Sequence, residues 1–494
     1  MSLLHPDDRL DDRPDALRRA GLLWAAVGLV GSLITAVAAT GAGALPVDDS
    51  LGTWPELLSL RSVPAVVLAY TGITLLCGAW WQLGPIVRRL PDRLPFVLRT
   101  AAAWAAPLAI APPLYSRDVY SYLVQGALFG AGWDPYRYGP SAYGGGMAEN
   151  VSAVWQDTPA PYGPVFLGTA SGVTSISGEH LVVGILLMRV VMIGALVATT
   201  ACLIPLARRF GVDPAAGIWL AILNPLTLGH LVSGAHNDAL MILFMVAGLL
   251  LATRGRPLLA AAVIGLALLV KLPAAAALVV VVPAMARRLE GRYRMQRAAL
   301  MVGGVALVSV VAVTELTGTG FGWLAALSDT AKVRNGLSMS TNAGLLVNGL
   351  AWLVGGHPWA LDAVAVMRAL GVGAAAVIVL VTLARHRGRP VYALAVIMFA
   401  VVLLGPVVHP WYLLWGVVPV AVSSRDPRIV RLVGLLTVVL VYHSLPWGGT
   451  VGTDVLLGVL GAVLGVAVLH LVRLGQVAQE GRDDEAAALQ LQAR

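Results

Sequence analysis

The sequence predicts an all-α protein that crosses a membrane many times. Of its 494 residues, 58% are hydrophobic and only 12% are Asp, Glu, Lys or Arg, about half the charged fraction of a soluble domain. Apolar runs close to the roughly 20 residues that a helix needs to cross a bilayer recur from end to end. Because no region departs from this composition, we expect one membrane domain over residues 1–475 and a polar cytoplasmic tail over 476–494.

The apolar runs predict about 14 transmembrane helices. They lie at about residues 21–43, 62–86, 98–114, 181–207, 214–231, 237–253, 257–271, 273–287, 297–314, 362–384, 390–407, 411–423, 428–445 and 453–474. The first run is too long for the core of a signal peptide and lacks a cleavage site, so it is expected to remain as a helix.

The placement of the basic residues predicts the orientation. The net charge is +8, and Arg and Lys cluster in short loops between apolar runs, as at 88–89, 208–209 and 385–389. Basic loops stay on the cytoplasmic side of a membrane, so this pattern argues against nucleic-acid binding and places both termini inside. The apolar segment 342–356 would reverse the side of the 385–389 loop if it crossed, so we interpret it as re-entrant or interfacial. Cys77 and Cys202 both lie in apolar runs and indicate no disulfide framework.

With this orientation, two long loops are expected on the outer side, at about 115–180 and 315–361. The first contains a carboxylate in an unusual position, next to a predicted span. Asp118 directly follows the third predicted span. A carboxylate beside a bilayer is costly unless it is paired, hydrated or used. Ser116 or Asp118 could cap a helix that lies along the interface. Alternatively, Asp118 could accept a proton from an attacking hydroxyl. The residues alone leave both alternatives open.

Further polar and aromatic residues are expected on the same outer face. They are Arg117, His236, Asn237, Asp238, Lys271, Lys332, Arg334, His409, Trp411 and Tyr412. Each has a structural alternative: a helix cap, a lysine that snorkels to the interface, a solvated cation, or a member of an aromatic belt. Together they suit a lipid phosphate whose tail lies in the bilayer, because cations offset phosphate charge and charge-assisted hydrogen bonds orient it.

Five short motifs carry a family resemblance. They are SRDVYSYLVQG at 116–126, DPYRYGP at 134–140, PYGPVF at 161–166, GAHNDAL at 234–240 and HPWYLLW at 409–415. They resemble the GT-C class of polytopic glycosyltransferases, in which an acidic residue of an early outer loop is catalytic. More narrowly, the set is similar to the actinobacterial α(1→6)-mannosyltransferases that build the backbone of lipomannan and lipoarabinomannan. One departure is that the loop follows the third predicted span and not the first, so either two helices have been added or the span count is off.

The resemblance implies an inverting transfer of mannose from polyprenyl-phosphate mannose to the 6-hydroxyl of an α-mannan glycolipid acceptor, on the periplasmic face of the plasma membrane. It implies Asp118 as catalytic base. Expected at the donor phosphate are Arg117, Lys271, Lys332, Arg334 and His409, with Lys271 and Arg334 foremost. Expected near the sugars are Tyr122, Trp133, Asp134, Tyr136, Tyr162, His236, Asn237, Asp238, Trp411 and Tyr412, with His236 and Asp238 orienting the sugar or the cations.

No cofactor is expected. Asp118 and Asp134 could together hold Mg²⁺ or Mn²⁺, but a monophosphate donor beside several cations needs no metal. Transfer of another polyprenyl-phosphate sugar, such as arabinose or glucose, is the nearest alternative function. A flippase or other transporter for lipid-linked sugars is the more distant one, since transporters favour polar groups near the midplane and repeated halves.

Overall fold

The computed structural model describes residues 14–47, 49, 51–330, 333, 336–355, 362–448 and 455–492, without the side chains of 330 and 483–492. Within these residues the chain is helical and forms no β-strand. The α-helices are α1 Pro14–Ala42, α2 Val63–Val87, α3 Arg93–Ile110, α4 Asp118–Gly130, α5 Gly145–Glu149, α6 Pro164–Ser177, α7 Leu181–Arg209, α8 Pro214–Ala221, α9 Asp238–Thr253, α10 Pro257–Leu268, α11 Ala276–Ala286, α12 Arg294–Thr317, α13 Gly322–Thr330, α14 Met339–Gly355, α15 Ala363–Arg385, α16 Pro390–Leu404, α17 Leu414–Ala421, α18 Pro427–His443 and α19 Val455–Gln492.

Six described helices are long and apolar enough to cross a membrane: α1, α2, α7, α12, α15 and the first part of α19. A π-helical segment, Thr227–Ser233, and α9 make a seventh candidate if the bent pair is one span. The protein is therefore a multi-pass membrane protein. Four further apolar helical segments of 10–17 residues coincide with predicted spans at 257–271, 273–287, 390–407 and 411–423. Because these are shorter than a straight span needs, the count of about 14 stays a prediction, and so does the interfacial placement of α14.

The segment 115–180, predicted as an outer loop, contains α4, α5 and α6, and α4 does not lie along the protein surface. Its residues Val119–Gly126 are all buried, so α4 is covered by other parts of the protein and presents no amphipathic face at a surface. Helix α4 packs tightly on α6 at Gly126, where an added Cβ would lie 2.5 Å from the backbone carbon of Ala170. Small residues permit such close approach of two helices. This contact holds the face of α4 that begins with Asp118 in the protein interior.

A break before α9 positions the second half of the site. The π-helical segment and α9 are bent by 108°, and Ala235 between them has a left-handed φ of 51°. Tyr115, just before α4, is also left-handed, with φ 69°, and its ring packs 5.0 Å from that of His230. Such backbone is disfavoured for non-glycine residues and is found at functional sites. Irregular backbone at membrane depth requires burial within protein, and both segments are buried.

One buried arginine joins these two irregular segments. Arg189 of α7 is 1% exposed. Its guanidinium donates to the carbonyl of Ser233 at 2.6 and 3.0 Å, and to those of Ala109 and Ala111 at 2.9 and 2.6 Å. These carbonyls end the π-helical segment and α3, where a helix leaves backbone acceptors unpaired. Arg189 therefore brings the chain leading to Asp118 alongside the chain leading to Asp238.

Candidate active site

A cavity of about 230 Å³ lies where α4 meets the chain segments around 155–162, 271–273 and 401–415. Its polar or charged lining consists of Asp118, Ser121, Gln125, Thr158, Lys271 and His409, and its aromatic lining of Trp155, Tyr162, Tyr412 and Trp415. The rest is apolar. The volume is below the roughly 300–1,000 Å³ of sites that enclose a whole ligand. It suits a ligand that is partly enclosed and extends out of the cavity.

Asp118 opens α4 and presents its carboxylate to this cavity. The N-cap residue Arg117 makes no side-chain capping hydrogen bond; the hydroxyl oxygen of Ser116 accepts from the backbone N–H of Asp118, the first residue of the helix, at 3.0 Å. The Asp118 side chain is 16% exposed, and its Oδ2 lies 3.5 Å from Nδ1 of His236. Burial raises the pKa of Asp118 to about 6, against the lowering effects of the Ser116 hydrogen bond and the Lys271 charge. The carboxylate is thus ionised at neutral pH and a stronger base than an exposed aspartate.

Lys271 forms an ion pair with a second carboxylate, that of Asp238. Its Nζ lies 2.9 Å from Oδ2 of Asp238, and the indole N–H of Trp415 donates to Oδ1 of Asp238 at 2.6 Å. Burial is the largest single effect and lowers the pKa of Lys271, but the charge and hydrogen bond of Asp238, together with Tyr412 and Asp118, outweigh it, so the pKa is raised. Lys271 is therefore a cation held in place, with 12% of its side chain exposed, and does not snorkel to solvent.

Asp238 itself is fully buried and does not line the cavity. With both oxygens engaged, it is placed to hold Lys271 and not to contact a sugar. Its neighbour Asn237 is also fully buried; the side chain does not cap α9, and neither amide atom has a hydrogen-bond partner.

A stack of rings lies behind Asp118. The ring of His236 lies 3.8 Å from that of Trp411, and Trp411 lies 4.6 Å from His409. The Tyr122 hydroxyl is 3.3 Å from Nδ1 of His236. Of these residues, only His409 reaches the cavity. Burial lowers the pKa of His409 to about 3, with a further contribution from Lys271, so His409 is neutral and offers a hydrogen bond and not a charge.

Two aromatic residues complete the cation's surroundings. Lys271 Nζ lies 4.6 Å from the ring centre of Tyr412 and 6.0 Å from that of Tyr162. Aromatic faces attract a cation at these separations. Tyr162 is brought there by Gly163, where an added Cβ would lie 2.5 Å from the carbonyl oxygen of Leu269.

The structure places other predicted site residues away from the cavity. Arg117 donates to the carbonyls of Asn150 at 2.8 Å and Leu45 at 3.0 Å, so its guanidinium joins two loops and does not line the cavity. Lys332 and Arg334, also expected at the phosphate, lie outside the described residues.

Three residues expected near the sugar belong to local structure of the outer loop. Asp134 Oδ1 accepts from the backbone N–H of Tyr136 at 2.9 Å and stabilises a turn. Tyr136 is buried in a separate cluster with Trp323. Trp133 is 46% exposed. None of the three lines the cavity, so Asp134 does not join Asp118 there as a metal-binding pair. Among the residues with described positions, no group of three or more His, Cys, Asp or Glu is placed to hold a metal.

Five polar or aromatic lining residues were not anticipated: Ser121, Gln125, Trp155, Thr158 and Trp415. A signal existed for the first two, because positions three and seven residues after Asp118 share its helix face. Trp415 lies three residues after Tyr412 in the HPWYLLW motif. Nothing in the sequence singles out Trp155 or Thr158, which reach the cavity from the short 3₁₀ helix Ala153–Trp155 and the turn after it.

Two family models match the chain, and each matched range contains residues that line the cavity. The model described as "Alpha-(1->6)-mannopyranosyltransferase, N-terminal domain" covers residues 25–287, more than half of the chain, and "MptB C-terminal domain" covers 340–473. The chain belongs to the α-(1→6)-mannopyranosyltransferase family. Asp118, Lys271 and Asp238 of this family member lie in the first match, and His409 and Trp415 lie in the second.

Curated relatives agree with this membership. The chain is 32% identical to α-(1→6)-mannopyranosyltransferase B of Corynebacterium glutamicum, over 93% of this chain and 82% of that protein. It is 35% identical to a probable α-(1→6)-mannopyranosyltransferase of Mycolicibacterium smegmatis, over 81% and 78%. It is 34% identical to α-(1→6)-mannopyranosyltransferase A of Mycobacterium tuberculosis, over 84% and 83%. No solved structure matches this family member.

Proposed function

We propose that this protein transfers mannose from polyprenyl-phosphate mannose to the 6-hydroxyl of an α-mannan glycolipid acceptor, with inversion, during lipomannan and lipoarabinomannan backbone synthesis. The observation that carries the proposal is that a carboxylate, Asp118, and a cation, Lys271, line one mostly apolar cavity. Family membership supports the reaction class, since the relatives are named for this transfer. The choice of donor rests on the fit between these two groups and a lipid phosphate.

In the proposed step, Asp118 takes the proton of the acceptor's 6-hydroxyl as that oxygen forms a bond to the anomeric carbon of mannose. The bond from the anomeric carbon to the phosphate oxygen breaks, and its electron pair leaves with the polyprenyl phosphate. A single displacement of this kind inverts a β-linked donor to an α-linked product. Base catalysis of this type contributes roughly 10²–10⁴ in rate.

Lys271 is assigned to the leaving phosphate. Because Asp238 and Trp415 hold it in position, its charge needs little reorganisation as negative charge develops on the leaving oxygen. Neutral His409 is placed to add a hydrogen bond. Arg117 has no part in this assignment, since its donors are engaged elsewhere.

The cavity is proposed to lie on the outer side of the plasma membrane. Asp118 follows the end of α3 whose start adjoins Arg88 and Arg89, and Lys271 follows the end of α10 whose start adjoins Arg254 and Arg256. If the basic loops are cytoplasmic, both site residues lie at the opposite ends of their helices. A polyprenyl tail would then rest in the bilayer while its phosphate enters the cavity.

Transfer in reconstituted protein tests the proposal. Purified protein in lipid would be given radiolabelled mannosyl polyprenyl phosphate and a short α-mannoside, with and without a chelator, and the product digested with an α(1→6)-specific mannosidase. Asp118→Asn should reduce transfer by at least about 100-fold. Asp134→Asn is the matched control, because this outer-loop carboxylate does not line the cavity, and should transfer normally.

Each alternative has its own outcome. Equal transfer by wild type and a folded Asp118→Asn variant would exclude Asp118 as the base. Inactivity with the mannosyl donor but transfer from the arabinosyl or glucosyl donor would retain the reaction class and reject mannose. Movement of the lipid-linked sugar across the bilayer without transfer would indicate a transporter.

A further inference from the structure

Two polar side chains beside Asp118 lack hydrogen-bond partners. Ser121 is 5% exposed and Gln125 3%. Neither the Oγ of Ser121 nor the Oε1 of Gln125 forms a hydrogen bond within the protein. Both residues line the cavity that Asp118 lines. A buried polar atom without a partner is costly, and the great majority of such atoms in folded proteins are paired. A bound group in the cavity would supply the missing partner.

Their spacing points both side chains towards the reacting centre. Ser121 and Gln125 lie about 4.5 and about 10.5 Å beyond Asp118 along the axis of α4, at a rise of about 1.5 Å per residue. Side chains on a helix tilt towards its N-terminus, so both lean towards Asp118. The close contact of Gly126 with α6 fixes the rotation of this helix. Asp118, Ser121 and Gln125 thus form one polar stripe on the cavity wall.

The chemistry of the stripe selects its ligand. Neither Ser121 nor Gln125 carries charge, so they suit neutral hydroxyls and not a phosphate, for which the cation Lys271 is available. The neighbouring wall includes Trp155, Tyr162 and Pro161, flat apolar groups against which the C–H face of a sugar ring packs. An attacking hydroxyl must lie against Asp118, and the remainder of the same sugar then extends along the stripe.

We propose that Ser121 and Gln125 bind ring hydroxyls of the acceptor sugar, and so position its attacking hydroxyl at Asp118. This inference rests on the proposed function, because it takes Asp118 as the base. It assigns the acceptor to α4 and leaves the donor phosphate to Lys271.

The test combines two substitutions with deoxygenated acceptors. Ser121→Ala and Gln125→Leu, two changes that retain an uncharged side chain, would be assayed with an α-mannoside and with its 2-, 3- and 4-deoxy analogues. Ser177→Ala and Gln156→Leu are the matched controls, since their side chains bond the backbone carbonyls of Gly178 and Val151 and do not line the cavity. Elution in detergent would confirm that each variant is folded.

Each variant is expected to lose about tenfold in kcat/KM with the full acceptor, the effect of one hydrogen bond to a hydroxyl. That loss should vanish with the one deoxy acceptor that lacks the hydroxyl in question, and it should persist with the other two. The KM for the mannosyl donor should stay within about twofold of wild type. A merely structural role would lower activity with all acceptors alike.

Two results would overturn the inference. One is an equal loss with every acceptor analogue. The other is a rise of more than about twofold in the KM for the mannosyl donor, which would place these residues at the donor. Transfer by wild type in the same assay tests the proposed function separately. Normal transfer by wild type, with variants whose loss does not depend on one acceptor hydroxyl, would overturn this inference and leave the proposed function intact.

Discussion

Acidification should inactivate this enzyme well above the ordinary pKa of an aspartate. Burial raises the pKa of Asp118 from 3.8 to about 6, and a base acts only when it is deprotonated. Activity that depends on Asp118 should therefore fall as pH drops through about 6. At pH 5, a pKa of about 6 leaves about one-tenth of Asp118 ionised, whereas a pKa of 3.8 would leave over nine-tenths.

The measurement is kcat/KM for the acceptor between pH 4.5 and 8 at saturating donor. We expect one acidic limb near pH 6, with a tenfold loss per pH unit below it. Ser116→Ala should move the limb to higher pH, because the Ser116 hydrogen bond lowers the pKa of Asp118. The residual activity of Asp118→Asn should show no limb. His409, with a pKa of about 3, does not titrate in this window.

Protonation of Asp118 would not unfold the protein, so acid unfolding through this group cannot explain the expected loss of activity. A raised folded-state pKa means that the stabilisation from protonating Asp118 is fully present below 3.8 and is lost as pH rises through about 6. Over the window in which activity falls, this group therefore makes the fold more stable. Intrinsic tryptophan fluorescence at each pH would verify that the protein remains folded. A flat profile down to pH 5 in folded protein would refute Asp118 as a base of raised pKa.

Three further substitutions probe the supporting network. Lys271→Met should lower kcat by roughly 10²–10³-fold, the usual effect of losing one preorganised group at a developing anion, and Lys271→Arg should retain part of the rate. An unchanged kcat in Lys271→Met would show that Lys271 does not stabilise the leaving group. Asp238→Asn keeps an acceptor for Trp415 but not the charge that holds Lys271, so kcat should fall about tenfold or more, and the melting temperature should fall as well, because the buried Lys271 cation loses its partner. A loss confined to acceptor KM would place Asp238 at the sugar. Arg189→Met removes four hydrogen bonds to backbone carbonyls and should reduce the free energy of unfolding by at least about 3 kcal/mol, measured as a lower melting temperature in detergent. Arg208→Met, at the exposed end of the same helix, is the control and should melt like wild type. Equal melting temperatures of the two variants would contradict the role assigned to Arg189.

Much of the site's composition could be predicted from local patterns. Apolar runs and basic loops indicate a multi-pass helical protein, and a carboxylate after a predicted span stands out because of its desolvation cost. Asp118, Lys271, His409 and Tyr412 were predicted in this way, and Tyr162 was predicted from the family resemblance; all five line one cavity. The local patterns also predicted Arg117, and the resemblance also predicted Asp134 and Trp133, yet none of these three lines the cavity. Sequence position near the membrane face does not report which way a side chain points.

Tertiary packing decided the partners. Lys271 and Asp238 are 33 residues apart, and Trp415 is 177 residues from Asp238. Their meeting depends on the sharp break before α9, which Arg189 stabilises from α7. Similarly, the contact of Gly126 with Ala170 sets which face of α4 is turned to the cavity, and so exposes Ser121 and Gln125 to it together with Asp118.

The sequence by itself determined the class of the protein, its helical and membrane character, the loops in which its basic residues cluster and the kinds of group available for catalysis. Only the tertiary structure decided which carboxylate faces the cavity and which one is buried behind the cation. The physical reason is that periodicity and charge bias act over a few turns of one helix. The pairing of buried charges, in contrast, is set by contacts between helices distant in the chain, where desolvation requires each charge to find its partner.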